Sequence, residues 1–272
     1  MHDAVRAALG LSGEQPVRGG CIHHCYRAMR EGRPVFLKLN DARFAEAFAA
    51  EADGLQALRA GGARAPEPIA MGVAGGQAYL LMEWLELGSR GDFAALGTLL
   101  AAMHRAQSDR YGWPRDNYVG STPQENGGCA TWGEFWRMRR LEPQLALARR
   151  NGYQLEVLPV WRLLEGHEPV ASLLHGDLWS GNAGFLADGA PVLFDPAAYY
   201  GDREADLAMT ELFGGFPEQF YRAYSEAWPL DKGYEVRKQI YNLYHLLNHL
   251  NLFGGGYLAQ VRATLRFLAH AL

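Results

Sequence analysis

The chain has 272 residues, enough for one large domain or two lobes around a sizeable core, and at 49% apolar it is not a wholly disordered chain. A formal net charge of −4 argues against a dedicated nucleic-acid binder, whose surface carries a basic stripe. No apolar run approaches the length of a membrane span, MHDAVRAALGLSGEQP does not read as a secretory signal, and only Cys21, Cys25 and Cys129 are available for disulfides, so a cytoplasmic location without membrane partners is expected.

In chain order, residues 16–40 predict two short strands, centred on 21–29 and 35–39, with Glu31-Gly32-Arg33-Pro34 as the turn. Phe44, Phe48, Leu55 and Leu58 recur at helical spacing over 41–60, and Gly61-Gly62 ends that helix. Pro66 and Pro68 mark a loop, and 78–84 is a short apolar strand with Glu83 near its end. Beyond Gly88 the helical signal dominates. Helices are expected over 92–107, over 132–150 with Pro143 bending or dividing it, and around 161–165. Arg137, Arg139 and Arg140 read as a solvated helix face. Residues 173–196 break into loop and strands, and the chain is mostly helical again from 202, with a long helix over 234–253 and a last one from 257. The outline is α+β: a small antiparallel-sheet lobe with one helix at 1–85, then a larger, mainly helical lobe at 86–272.

The segment 173–206, LLHGDLWSGNAGFLADGAPVLFDPAAYYGDREAD, holds the chemistry. Asp188-Gly189 between two apolar runs favours a two-residue hairpin turn, and that register sets Asn182 opposite Asp195. An amide and a carboxylate converging there suit Mg²⁺, which takes few protein ligands. Asp177, five residues before Asn182, is placed to accept the proton of an attacking hydroxyl. Asp-x₄-Asn followed by a post-hairpin Asp matches the kinase catalytic loop and its metal-binding Asp. His-Gly-Asp alone is a common turn, so the combined spacing carries the reading. A kinase also needs a strand lysine on the nucleotide phosphates, held by a helix glutamate. Lys38 in VFLKL fits, with Glu51 as the first candidate partner and Glu46 the second. Gly19-Gly20 is a candidate phosphate-covering loop, although neither G-x-G-x-x-G nor a Walker motif is present.

Together these pieces resemble the fructosamine kinase (ketosamine-3-kinase) family, within the wider aminoglycoside-phosphotransferase-like and protein-kinase-like fold. The resemblance runs nearly end to end, through GGCIHHCYR, VFLKLN, FAAEADGL, LMEWL, LAAMHR, DNYVGSTPQENG, WGEFWRMRRL and LYHLLNHLNLFGGGY, and is most specific in HGDLWSGN and DPAAYYGDREADLAM. It implies ATP-dependent phosphorylation of ketosamines at the sugar 3-hydroxyl, giving an unstable product that releases the amine. Carried over position by position, it implies Asp177 as base, Asn182 and Asp195 as Mg²⁺ ligands, and Lys38 with Glu51 as the phosphate pair. It further implies Met82, Glu83, Trp84 and Leu85 as the adenine hinge and Asp206 as the anchor of the catalytic loop. Trp179 suits stacking on a sugar ring, with core packing as the alternative. His245, Asn248 and His249 share a face of the tail helix, and His249 is taken as an acceptor-side residue. Cys21 stands where the family carries a cysteine linked to a redox-dependent homodimer. Cys25 is a departure from the pattern, and His23 replaces a usual asparagine. Two rivals remain at this stage: an aminoglycoside or amino-alcohol kinase, and a redox-sensing nucleotide-binding protein.

Overall fold

The computed structural model describes residues 3–17, 22–156 and 158–272. Strands β2 (His24–Arg30) and β3 (Arg33–Asp41) form a hairpin whose turn is only Glu31-Gly32, shorter than the four residues expected. Both turn residues have positive φ, 51° and 77°, the conformation that matches the twist of flanking strands. These strands join β1 (Leu11–Pro16), β4 (Pro68–Ala74) and β5 (Gln77–Glu83) in a five-stranded antiparallel sheet of order β1-β2-β3-β5-β4. β4 occupies the stretch where two prolines predicted a loop. Pro68 is its first residue and β4 is an edge strand, so the missing N–H costs no ladder bond.

Alternation along β3 decides what each face of the sheet does. Leu37 and Leu39 enter a core with Val5 and Leu9 of α1 (Asp3–Leu9), whereas Lys38 points the other way, toward α2 (Ala45–Ala60). Leu80 and Met82 of β5 also face α2, packing with Phe48, Leu55 and Leu58.

After a linker, Asp92 caps α3 (Phe93–Met103), accepting the Ala95 N–H at 2.9 Å. This helix stops short of residue 107 because Gln107 enters the short strand β6 (Gln107–Ser108). A small hairpin, β7 (Asn117–Val119) and β8 (Thr122–Gln124), follows. The helix predicted over 132–150 runs through Pro143 by widening: α4 (Trp132–Trp136) passes through a π turn at Arg137–Leu141 into α5 (Glu142–Arg150), with Pro143 in the first turn of α5. Arg140 in that π turn is not a solvated side chain. It is wholly buried, its guanidinium 4.1 Å from the Tyr199 ring centre and hydrogen-bonded to Glu125 O and Asn126 Oδ1.

β9 (Ala171–Leu174) pairs with β6 and with β12 (Tyr199–Gly201), while β10 (Ala183–Phe185) pairs with β11 (Pro191–Leu193). Helices α6 (Glu204–Leu212), α7 (Glu218–Ala227), α8 (Tyr234–Phe253) and α9 (Leu258–Ala271) complete the chain. α8 has the predicted bounds and is buried along most of its length against Trp132, Phe135 and Trp136. No helix among the described residues is long and apolar enough to cross a membrane.

Candidate active site

The loop after β9 carries His175, Gly176 and Asp177, and it is fastened from below by Asp206 in the first turn of α6. Asp206 accepts the N–H of His175 at 2.7 Å and that of Gly176 at 2.8 Å, and Nε2 of His104, the residue that ends α3, lies 3.1 Å from it. Burial alone would raise the Asp206 carboxyl, but these hydrogen bonds and the neighbouring histidines hold it below the usual range. Gly176 has φ +82°, and a Cβ there would lie 2.1 Å from Ala197 O, so only glycine fits. His175 Nε2 donates to Phe194 O at 2.9 Å, which leaves Nδ1 to accept the Asp177 N–H at 3.3 Å. His104 Nδ1 accepts in turn from the Tyr224 hydroxyl at 2.8 Å. Asp206 thus sits where the sequence reading put it. His104 and His175 were given no role of their own, although both stand in segments quoted for the resemblance, LAAMHR and HGDLWSGN.

The β10–β11 register differs from the expected one by a residue. Ala183 pairs with Leu193 and Phe185 with Pro191, and the loop is Ala187-Asp188-Gly189, with Gly189 at φ +85°. Asn182 therefore meets Phe194, whose N–H donates to Asn182 O at 3.1 Å, and Asp195 lies one position beyond. A one-residue slip reverses the face a strand residue presents. Asp195 adopts φ 56°, a left-handed conformation uncommon outside glycine, and that backbone turn re-aims its carboxylate.

The carboxylate of Asp195 meets Lys38 Nζ, and Lys38 also donates to Glu51 Oε1 at 2.7 Å. Burial would lower the lysine's pKa, but Asp195 and Glu51 outweigh it and keep the ammonium charged. Asp195 is held low by Lys38 against burial, while burial and the Asp195 charge push Glu51 up. Glu46, the second candidate, is committed elsewhere: Arg115 bridges it at 2.5 Å and Asp53 at 2.9 Å.

Asp177 has its carboxyl pushed up to about 7 by burial and then by the charges of Asp195 and Asp206. Asn182 Nδ2 donates to Asp177 O at 2.9 Å and lies 3.3 Å from Asp177 Oδ2. Its amide nitrogen is thereby occupied, and its carbonyl oxygen is left for another ligand. Asp195 likewise keeps one oxygen beyond the one at Lys38. This donor set, one amide and one carboxylate oxygen, suits Mg²⁺.

At the hinge, Met82 is buried, and the Glu83 carboxylate pairs with Arg64 at 2.8 and 2.5 Å while its N–H donates to Glu67 O. The Trp84 ring stacks near Phe36 at 6.0 Å. Past the end of β5, Leu85, Glu86 and Leu87 make no backbone hydrogen bond outside the sheet ladders among the described residues.

Trp179 is 39% exposed, with its ring lying over Gly181, so core packing does not explain it. His249 does not face Asp177. It sits among Phe213, Phe253 and Tyr257, its Nδ1 bonded to the carbonyl of His245 at 2.9 Å. On the tail helix it is His245 that approaches the loop, with Nδ1 3.9 Å from Asp177 Oδ1. Gly19, Gly20 and Cys21 lie outside the described residues. Cys25 faces Lys38 across the β2–β3 ladder, and burial pushes its thiol up to about 11.

The segment DNYVGSTPQENG braces the chain after Asp195. Asn117 Nδ2 donates to Ala198 O at 2.7 Å, Gln124 Nε2 to Ala197 O at 3.2 Å, and Tyr244 to Gln124 at 2.7 Å. A second cluster of ligand-type side chains, His167, Asp202 and Glu204, is satisfied internally. His167 and Tyr241 bond Asp202 at 2.7 and 2.5 Å, and Arg237 takes both Glu204 oxygens at 2.6 and 2.8 Å.

The fructosamine kinase family model matches residues 1–270. A Synechocystis protein carrying the provisional name of ketoamine kinase is 48% identical over 265 residues, covering 94% of this chain and 90% of its own. The chloroplastic protein-ribulosamine 3-kinase of Oryza sativa subsp. indica is 42% identical over 265 residues, covering 92% and 77%. A solved structure from Haemophilus somnus, provisionally named as a fructosamine-3-kinase, superposes with a TM-score of 0.90 at 28% identity, covering 98% of this chain and 97% of that one.

Proposed function

The chain belongs to the fructosamine kinase family, and from that premise we propose that it transfers the γ-phosphoryl group of ATP to the 3-hydroxyl of the sugar moiety of ketosamines. The observation that carries the proposal is the convergence of Asp177, Asn182, Asp195 and Lys38 from three separate segments onto one mouth. Residues 1–85 then form the nucleotide-holding lobe and 86–272 the catalytic and acceptor lobe, in the cytoplasm.

In this reading Lys38, fixed by Glu51, reaches the α and β phosphates. Met82, Glu83, Trp84 and Leu85 take the adenine, with Gly19 and Gly20 over the phosphates. Asn182 and Asp195 hold Mg²⁺, which when bound offsets the charge on the phosphate oxygens. Asp177 takes the proton of the 3-hydroxyl as that oxygen forms its bond to phosphorus and ADP leaves with the old one. Asp206 works at one remove, keeping the loop backbone under Asp177. Trp179 lines the acceptor side. Release of the free amine from the phosphorylated sugar makes the reaction a deglycation. No dimer linked through Cys21, which lies outside the described residues, is part of this reading.

An ATP-consumption screen over ribulose-, fructose- and erythrulose-derived amines, with an aminoglycoside as control, tests the substrate class. At least one ketosamine is expected to drive ADP formation while the aminoglycoside does not. ADP formation with the aminoglycoside alone would transfer the site to the rival class.

A further inference from the structure

The buried histidines differ in one respect. His104 uses both ring nitrogens, on Asp206 and Tyr224. His175 uses both, on Phe194 O and the Asp177 N–H. The side chain of His245, a residue only 4% exposed, makes no hydrogen bond among the described residues, and its Nδ1 is fully buried. Buried polar atoms without a partner are few in folded proteins, and each calls for a reason. Burial pushes this imidazole down to about 3, so the ring is neutral, with one N–H to donate.

The polar group that Nδ1 faces is the base itself, Asp177 Oδ1, at 3.9 Å. The other carboxylate oxygen of Asp177 has the Asn182 amide beside it at 3.3 Å. Oδ1 is therefore the oxygen with room for a donor. The gap exceeds a hydrogen bond by roughly 1 Å. Bonds of this kind are often long before substrate arrives and tighten in the complex.

Building on the phosphotransfer role proposed for Asp177, we propose that His245 is a positioning residue: its Nδ1–H donates to Asp177 Oδ1 in the nucleotide-bound enzyme and fixes the rotation of the carboxylate. Asn182 leaves that oxygen free, since its two amide hydrogens face Asp177 O and Oδ2. α8 supplies the donor from outside the catalytic loop, so the base is held from two independent elements. This also gives the buried length of α8 a reason to carry a polar ring at this position.

Asparagine sets an amide nitrogen where Nδ1 stands, whereas glutamine reaches the Nε2 position. In the full chain, H245Q is expected to lower kcat about 10- to 100-fold with the KM for ATP unchanged, the scale of a small misplacement of a reacting group. H245N recovers most of that loss. Equal loss in the two variants, or a loss confined to either KM, would overturn the proposal. Imidazole ¹⁵N spectra read the bond without turnover. With MgATP bound, the wild-type His245 proton resides on Nδ1 and moves to Nε2 in D177A. A tautomer that ignores D177A refutes the bond. Because this arm needs no acceptor, a failed ketosamine assay and a failed hydrogen bond remain separate results.

Discussion

Asp206 binds two backbone N–H groups and a histidine drawn from separate segments, all buried, while Trp179, two residues past Asp177, is 39% exposed, and His245 beside Asp177 has no partner. The floor beneath the loop is thus fully hydrogen-bonded, whereas the wall at Trp179 and His245 is not. Desolvation favours this division. A buried carboxylate is tolerated only when fully satisfied, whereas exposed or unpaired groups facing a cleft can be satisfied by the substrate. Floor residues should therefore govern folding, wall residues the acceptor, and Asp177 between them the chemistry.

Asp177→Ala probes the boundary and carries the largest effect. kcat is expected to fall about 10²- to 10⁴-fold, as for loss of a general base, with the melting temperature preserved. Stopped-flow or coupled ADP assays measure it, and wild-type turnover in this variant would remove Asp177 from the chemistry. Asp206→Ala tests the floor. Leaving two buried N–H groups unsatisfied should cost about 3 kcal/mol of stability by urea unfolding. Because the folded Asp206 carboxyl is held low, its contribution is complete above the ordinary carboxylate pKa and disappears as pH falls through the folded value. The gap between wild type and variant should thus narrow on acidification below about pH 4. A gap that widens in acid would break the argument. Trp179→Ala tests the wall and has the smallest effect: the acceptor KM rises about 3- to 10-fold, while ATP KM and melting stay put. A drop in melting temperature would return Trp179 to the core.

Local patterns made much of this legible. Asp177, Asn182, Asp195, Lys38 and Glu51 were read from spacing, and α8 from its apolar periodicity. What escaped depended on backbone conformation or on distant partners. Asp188-Gly189 serves a two-residue turn and also the second and third positions of a three-residue loop, so the dipeptide did not fix the register. The left-handed Asp195 that restores convergence has no sequence signal at all. β4 was hidden by Pro68, whose meaning depends on whether its strand lies at an edge. Arg140 looked like a surface cation because its aromatic and carbonyl partners come from segments far along the chain. His245 became separable from His249 only once α8 was packed against the loop.

The most direct test of the account is the identity of the product. The chain is incubated with MgATP and a ribulose-derived amine carrying ¹³C in its sugar, and the phosphate is located by ³¹P–¹³C NMR. The account predicts phosphate on the 3-oxygen, one ADP for each ketosamine consumed, and subsequent appearance of the free amine. Phosphate on any other oxygen, or ATP turnover that leaves the ketosamine untouched, would contradict it.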